Sequence, residues 1–148
     1  LEQYQKAFNI ETVILRVPGI YGPGRLPEAR IRAGLPVVLP EESPWSNRIH
    51  ADDLAEACFK ACTEATVTGV FNVSDGHPST MTDYFWKVSD HLDLPRPPAV
   101  SLSEARNILS PAMMSFMDES KRLCNRRMID ILGVKLRYPT LSEGLQAS

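Results

Sequence analysis

Thr12-Val13-Ile14-Leu15-Arg16-Val17, closed by Pro18-Gly19, is the stretch whose reading decides the fold. A short run this rich in β-branched and apolar residues has the profile of a strand buried on both faces of a parallel sheet. Pro18-Gly19 stops it, and Pro23-Gly24 marks a loop soon after. Residues 1–8 ahead of it read as the end of a helix closed by Asn9. A helix followed by a buried strand is half of a βαβ unit, so a further strand is expected upstream. The first residues, Leu1-Glu2-Gln3-Tyr4, lie in helix-forming sequence with no initiator Met and no N-cap residue before them. The expectation is a fragment of a longer protein.

Downstream, Arg25–Ala33 reads as a short helix ended by Gly34, and Val37-Val38-Leu39 as a short strand. Arg48-Ile49-His50 leads into a helix starting near Ala51 or Asp52. The acidic pair Asp52-Asp53 suits its N-terminus, and Leu54, Ala57, Cys58 and Ala61 form its apolar stripe. Val70-Phe71-Asn72-Val73 is a second buried-strand candidate, and Asp75-Gly76 a turn. Ser79 or Thr80 caps a helix to about Leu92. Ser103–Leu109 and Ala112–Met117 read as short helices parted by Pro111, and Lys121–Cys124 as a short strand. Asn125 caps Arg126–Leu132, and Thr140 or Ser142 begins a last helix. No internal repeat appears. Two or three sheet strands are too few for a complete doubly wound sheet, which again implies a missing half.

The 148 residues suffice for one domain with a modest core. With 43% apolar and 23% charged residues the composition is that of a globular protein. The net charge of -2 and the absence of long basic runs argue against a nucleic-acid surface. No apolar stretch reaches the roughly 20 residues of a membrane span, and no signal-peptide pattern is seen. Cys58, Cys62 and Cys124, an odd number without framework spacing, imply reduced thiols and a cytoplasmic setting. Cys58 and Cys62 read as small core residues, and no metal-ligand spacing is evident. The Met113, Met114 and Met117 cluster around Phe116 reads as core filling.

Four ordered segments carry a resemblance. They are Leu15–Gly24 (LRVPGIYGPG), Asn47–Ala55 (NRIHADDLA), Gly69–Asp75 (GVFNVSD) and Arg137–Leu145 (RYPTLSEGL). Together they resemble the C-terminal half of the extended or atypical short-chain dehydrogenase/reductase superfamily. More narrowly they resemble its NAD-dependent epimerase/dehydratase, nucleoside-diphosphate-sugar epimerase-like branch. The resemblance implies an α/β fold: the C-terminal part of a Rossmann-like doubly wound parallel sheet plus a small, mostly helical substrate domain. Residues 1–74 would then belong to the NAD(P)-binding domain, with part of the substrate region at 25–50. Residues 75–148 would form the helical substrate-side subdomain, with four helical segments after Asp75.

The same resemblance implies NAD or NADP as cofactor of the intact protein and assigns Val17, Pro18 and Gly19 to its reactive end. The physics agrees, because ligands of open α/β sheets sit just beyond the C-terminal strand ends. The bland alternative for this segment is an ordinary strand-to-loop turn. Substrate-side candidates are Arg25, Trp45, Arg48 and His50. Arg25 suits a phosphate or carboxylate, or is a solvated surface arginine. His50 contacts substrate, or simply hydrogen-bonds Asp52 or Asp53. Trp45 is a lid aromatic or plain packing.

Two hallmarks of the superfamily are missing. No G-x-G-x-x-G or G-x-x-G-x-x-G phosphate-binding turn occurs, since Tyr21 and Pro23 interrupt the nearby glycines. No Tyr-x-x-x-Lys pair occurs either, so no catalytic residue is assigned: Tyr4 and Lys6 are two apart, Tyr84 and Lys87 three. Pro18-Gly19-Ile20 and Ser46 also stand where nucleotide-sugar enzymes carry substrate-contacting Asn and Arg. This points to a smaller carbonyl or hydroxyl substrate. The leading expectation is therefore a fragment, inactive alone, of a hydride-transferring epimerase, dehydratase or reductase. The competing ones are a non-catalytic dinucleotide sensor or partner-binding module, and a stand-alone helical interaction domain. Open strand edges predict self-association or a homodimer.

Overall fold

The computed structural model describes residues 12–64 and 66–148. The helix read over residues 1–8, with Tyr4 and Lys6, lies outside them. In chain order the first elements are β1 (Val13–Arg16), β2 (Gly19–Tyr21), α1 (Glu28–Arg32), β3 (Val37–Val38), β4 (Trp45–Ser46) and β5 (Arg48–His50). The long helix α2 (Ala51–Thr63) follows, then β6 (Gly69–Asn72), β7 (Ser79–Thr80), α3 (Met81–His91) and β8 (Ala99–Val100). The chain closes with α4 (Leu102–Ile108), α5 (Pro111–Met117), α6 (Arg126–Asp130) and α7 (Leu141–Gln146).

β1 pairs in parallel with β6, Val13 opposite Gly69 and Arg16 opposite Asn72. The ladder continues past both ends through Gly69 N–H to the Thr12 carbonyl and Val73 N–H to the Arg16 carbonyl. The parallel pairing is the one the apolar Val13–Val17 run calls for, with α2 as the crossover. β2 pairs in parallel with β5 and β3 with β8, whereas β4 and β7 are antiparallel. The described residues thus hold four two-stranded sheets in an α/β arrangement.

Three apolar clusters hold these pieces together. Phe71 and Val73 are fully buried with Ile49, Ala57 of α2, and Met128, Leu132 and Val134 around α6. Each of the larger side chains among them contributes about 1.5–3 kcal/mol relative to exposure. Tyr21, Ile31 and Val37 meet Phe85 and Val88 of α3 and Leu141 and Leu145 of α7. Val38 meets Ala105, Leu109, Met114 and Met117. Met114 and Met117 are therefore core, as the sequence implies, while Phe116 is exposed. Helix starts follow side-chain chemistry. Thr80 accepts from Asp83 N–H, Ser110 caps a helix with Pro111 in its first turn, and Ser101–Glu104 and Thr140–Glu143 are capping boxes.

Several expectations need correction. Five helices follow Asp75 among the described residues, one for each segment read individually from the sequence and one more than the four assigned to the substrate side. The N-cap of α2 is His50 itself, through its ring, rather than Ala51 or Asp52. Lys121–Cys124 is not a strand, because its hydrogen bonds go largely to an asparagine side chain rather than to a neighbouring backbone. Asn125 precedes α6 without a side-chain cap bond, its amide being spent on the Ser74 carbonyl at 2.8 Å. Cys58 and Cys62 are exposed. They sit one position round α2 from Ala57 and Ala61, and line an open hollow with Val13, Leu15 and Val67.

Candidate functional site

Beyond the C-terminal ends of β1 and β6 three segments run side by side. Gly19 lies opposite Arg48 in the β2–β5 pairing, and its N–H donates to the Asn47 carbonyl at 3.2 Å. On the other side of that strand, Asp75 N–H donates to the Arg48 carbonyl at 2.8 Å. The Pro18-Gly19 turn, Arg48 and Asp75 are thereby brought to one strand-end region, the usual place for a ligand in an open α/β sheet. Val17 is 40% exposed, Pro18 partly exposed and Gly19 exposed.

Arg48 is 5% exposed. Its guanidinium donates to Ser79 Oγ at 2.8 Å and to Ser46 Oγ at 2.7 Å, and lies over the Tyr84 ring, 3.9 Å from the centroid. Burial pulls its pKa down to about 10, partly opposed by Tyr84 and Asp75. Asp75 is also buried, and its Oδ1 accepts from His77 N–H. Burial raises its pKa, against the lowering effects of the His77 bond and Arg48. The neighbouring Ser74 hydroxyl is buried without a hydrogen-bond partner. Burial likewise pushes the Tyr84 and Tyr21 hydroxyls up, and Asp75 and Asp53 add to the effect at Tyr21.

His50 is enclosed. Its Nδ1 accepts from Asp52 N–H at 3.2 Å, and its ring sits 5.3 Å from that of Tyr21 and 4.1 Å from that of Tyr138. Next to it Asp53 is buried with both oxygens used: Arg137 N–H donates to Oδ1 at 2.7 Å and Tyr138 N–H to Oδ2 at 3.0 Å. The Asn47–Ala55 and Arg137–Leu145 segments are thus joined by a carboxylate clamp. Trp45 is 40% exposed, with the Arg122 guanidinium 4.9 Å from its ring. Arg25 is exposed, held at its backbone by a turn bond to the Gly22 carbonyl.

Of the residues picked from sequence, Gly19 and Arg48 are direct neighbours, with Val17 and Pro18 on the same turn. Trp45 and His50 flank Arg48 along β4 and β5, and Arg25 stands apart on the surface. Asn47, Ser74, Asp75, Ser79 and Tyr84 were not singled out by sequence. Asp75 read only as half of a turn; its position just beyond a buried strand was the available signal. The arrangement offers a fixed, hydroxyl-bonded cation, a carboxyl that holds its proton more tightly than usual, and exposed strand-end backbone. Among the described residues no group of three or more His, Cys, Asp or Glu is placed to hold a metal ion. No helix among them is long and apolar enough to cross a membrane.

In fold the chain is similar to solved epimerase and dehydratase structures, and it spans about half of their length. The human epimerase family protein SDR39U1 (isoform 2), solved with NADPH, aligns with a TM-score of 0.75 at 18% identity, over 92% of this chain and 47% of that one. The dTDP-glucose 4,6-dehydratase of Bacillus anthracis str. Ames, solved with NAD, aligns with a TM-score of 0.70 at 16% identity, over 98% and 45%. A likeness that extends further into sequence is to a conserved protein of unknown function from Silicibacter pomeroyi DSS. It is 33% identical, with a TM-score of 0.83 over 99% of this chain and 50% of that one. No protein-family model and no curated protein matches the chain.

Proposed function

We propose that this chain is the substrate-side, C-terminal part of an NAD(P)-dependent epimerase, dehydratase or reductase that moves a hydride to or from a sugar-like or small carbonyl or hydroxyl compound. The observation that carries the reading is the Val17-Pro18-Gly19 turn. It leaves a parallel strand at its C-terminal end, beside Arg48 and Asp75, in a fold aligned over nearly the whole chain with dinucleotide-bound structures. The turn fits the cofactor's reactive end, since Val17 offers an exposed apolar side chain and Gly19 no side chain at all, so a flat ring can reach backbone. Bound NAD or NADP would supply the hydride donor or acceptor. Val17–Gly19 would place its ring, Arg48 and Trp45 would hold the substrate, and Arg25 would meet it at the rim. His50 would act through the start of α2.

In this reading residues 1–74 belong to the dinucleotide domain, with 25–50 partly on the substrate side, and 75–148 to the substrate side. The remainder of the protein would complete a doubly wound sheet around β1. The setting is cytoplasmic, and the partners are a small molecule and a second copy. The test is on the full-length protein. NADH and NADPH fluorescence titrations are expected to show binding, and a panel of sugar-like and small carbonyl compounds is expected to show turnover. Absence of binding to either dinucleotide refutes the reading. Binding without turnover across the panel favours a redox-sensing role instead.

A further inference from the structure

Residues 118–124 cross the substrate-side strands without forming an element of their own. All are exposed except Leu123, which is half-buried. On either side the chain is anchored, by buried Met117 at the end of α5 and by Asn125 on the Ser74 carbonyl with buried Met128 just beyond. Between these anchors the segment is attached by hydrogen bonds rather than by packing. The Asn47 side chain makes two of them: its Nδ2 donates to the Lys121 carbonyl at 2.9 Å, and its Oδ1 accepts from Leu123 N–H at 2.7 Å. Trp45 makes two more, from its N–H to Ser120 Oγ and to its carbonyl from Lys121 N–H. Arg122 covers the Trp45 ring, and Asn72 donates to the Cys124 carbonyl.

An amide side chain that pairs with two backbone groups imitates a neighbouring strand at a single point. Asn47 is 7% exposed, so this latch is shielded from water while the segment it holds is not. An exposed segment with almost no buried apolar contact opens locally at far lower cost than the packed elements around it. The backbone carbonyl of the same Asn47 receives the Gly19 N–H. One residue therefore touches both the strand-end turn and the crossing segment.

We infer that residues 118–124 are a flap, hinged near Met117 and Asn125, latched by the Asn47 side chain, and closing over Trp45 and the strand ends beside it. This does not depend on the hydride-transfer reading. The flap carries Lys121 and Arg122, so trypsin reports its opening directly in the 148-residue chain.

The experiment is limited trypsin digestion with peptide mapping of wild type, Asn47→Ala and Asn47→Asp. Arg25 and Lys135, each followed by leucine, serve as exposed control sites. Asn47→Ala is expected to raise cleavage after Lys121 and Arg122 about tenfold over the control sites, equivalent to about 1.4 kcal/mol of lost closure. Asn47→Asp keeps the acceptor for Leu123 N–H but loses the donor, and falls between. Trp45 fluorescence should shift in parallel as Arg122 leaves the ring. Equal relative cleavage at Lys121 and Arg122 in all three proteins overturns the flap. If Asn47→Ala instead raises cleavage everywhere, Ser120→Ala decides, because it removes an exposed hydroxyl that holds Trp45 N–H and buries nothing. A selective rise at Lys121 and Arg122 in that variant sustains the flap, and no rise overturns it.

Discussion

Gly144, in the RYPTLSEGL tail, faces the ring that anchors the strand-end turn, and Gly144→Ala tests that contact. A Cβ built at this position falls 2.6 Å from both Cε2 and Cζ of Tyr21. Ordinary carbon contacts are about 3.5–4.0 Å, so α7 or the ring must move by about 1 Å. The ring cannot readily retreat. It is 1% exposed, packed among Ile31, Phe85, Leu141 and Leu145, and edge-on to His50. Overpacking of this kind costs about 1–3 kcal/mol, and the rigid surroundings favour the upper end. Against it stands the gain of about 1 kcal/mol from alanine in a helix. The net loss is about 2 kcal/mol, or about 4–8 °C in Tm for a chain of this size. Thermal melts followed by circular dichroism, checked by urea midpoints, measure it. Gly133→Ala is the contrast, since a Cβ there meets nothing within 4 Å and only the positive φ of 70° is strained. A Gly144→Ala protein that melts within a degree of wild type, or above it, would show that the α7–Tyr21 contact does not constrain the turn.

Asp75 should reveal its burial through pH. Its folded pKa lies above the ordinary 3.8, so its contribution to stability is complete at low pH and is lost as pH rises through the folded value. Asp75→Asn is therefore expected to gain stability relative to wild type as pH is raised above 3.8, and a pH-independent difference in urea unfolding would contradict this. Asp53→Ala strands the two tail N–H groups of Arg137 and Tyr138 and should cost about 2–4 kcal/mol, read from the urea midpoint; a loss of only a few tenths would show the clamp to be idle. Arg48→Lys cannot serve both serines and cover Tyr84 with one ammonium. In the full-length enzyme it should raise substrate KM about tenfold, the worth of roughly one charged hydrogen bond, while dinucleotide affinity stays unchanged. A matched loss of dinucleotide affinity would place Arg48 on the cofactor instead.

The parts of the fold that could be read in the sequence were those with a periodic or chemical signature. Val13–Val17 and Val70–Val73 are apolar except at Arg16 and Asn72, and Val13–Arg16 does pair in parallel with Gly69–Asn72, although β1 is only half-buried rather than covered on both faces. Thr80, and Thr140 with Glu143, carry capping chemistry in the residue types themselves, and those helices start where they imply. What stayed hidden depends on distant partners. Asn125 looks like a cap because its amide can reach a helix start, but a carbonyl 51 positions away takes it first. Lys121–Cys124 reads as a short strand, yet two of its bonds go to the Asn47 side chain, 74–76 positions upstream, and another to the Asn72 side chain. At the site, Arg48 and the Pro18-Gly19 turn stood out by type and place. Asp75 did not, because nothing local marks an Asp-Gly turn as buried; its N–H donates to the Arg48 carbonyl, 27 positions away in sequence.

The ring that starts α2 has a chemical consequence of its own. An imidazole that accepts on Nδ1 carries its single proton on Nε2, so the peptide backbone has chosen the tautomer of His50. The bond fixes the first turn of α2, from which Asp53 grips the tail. Nitrogen-15 spectra of the neutral ring should therefore show the Nε2–H tautomer. The imidazole serves as a mechanical joint between two distant stretches of chain, bonded to the start of α2 and stacked near Tyr138 of the tail.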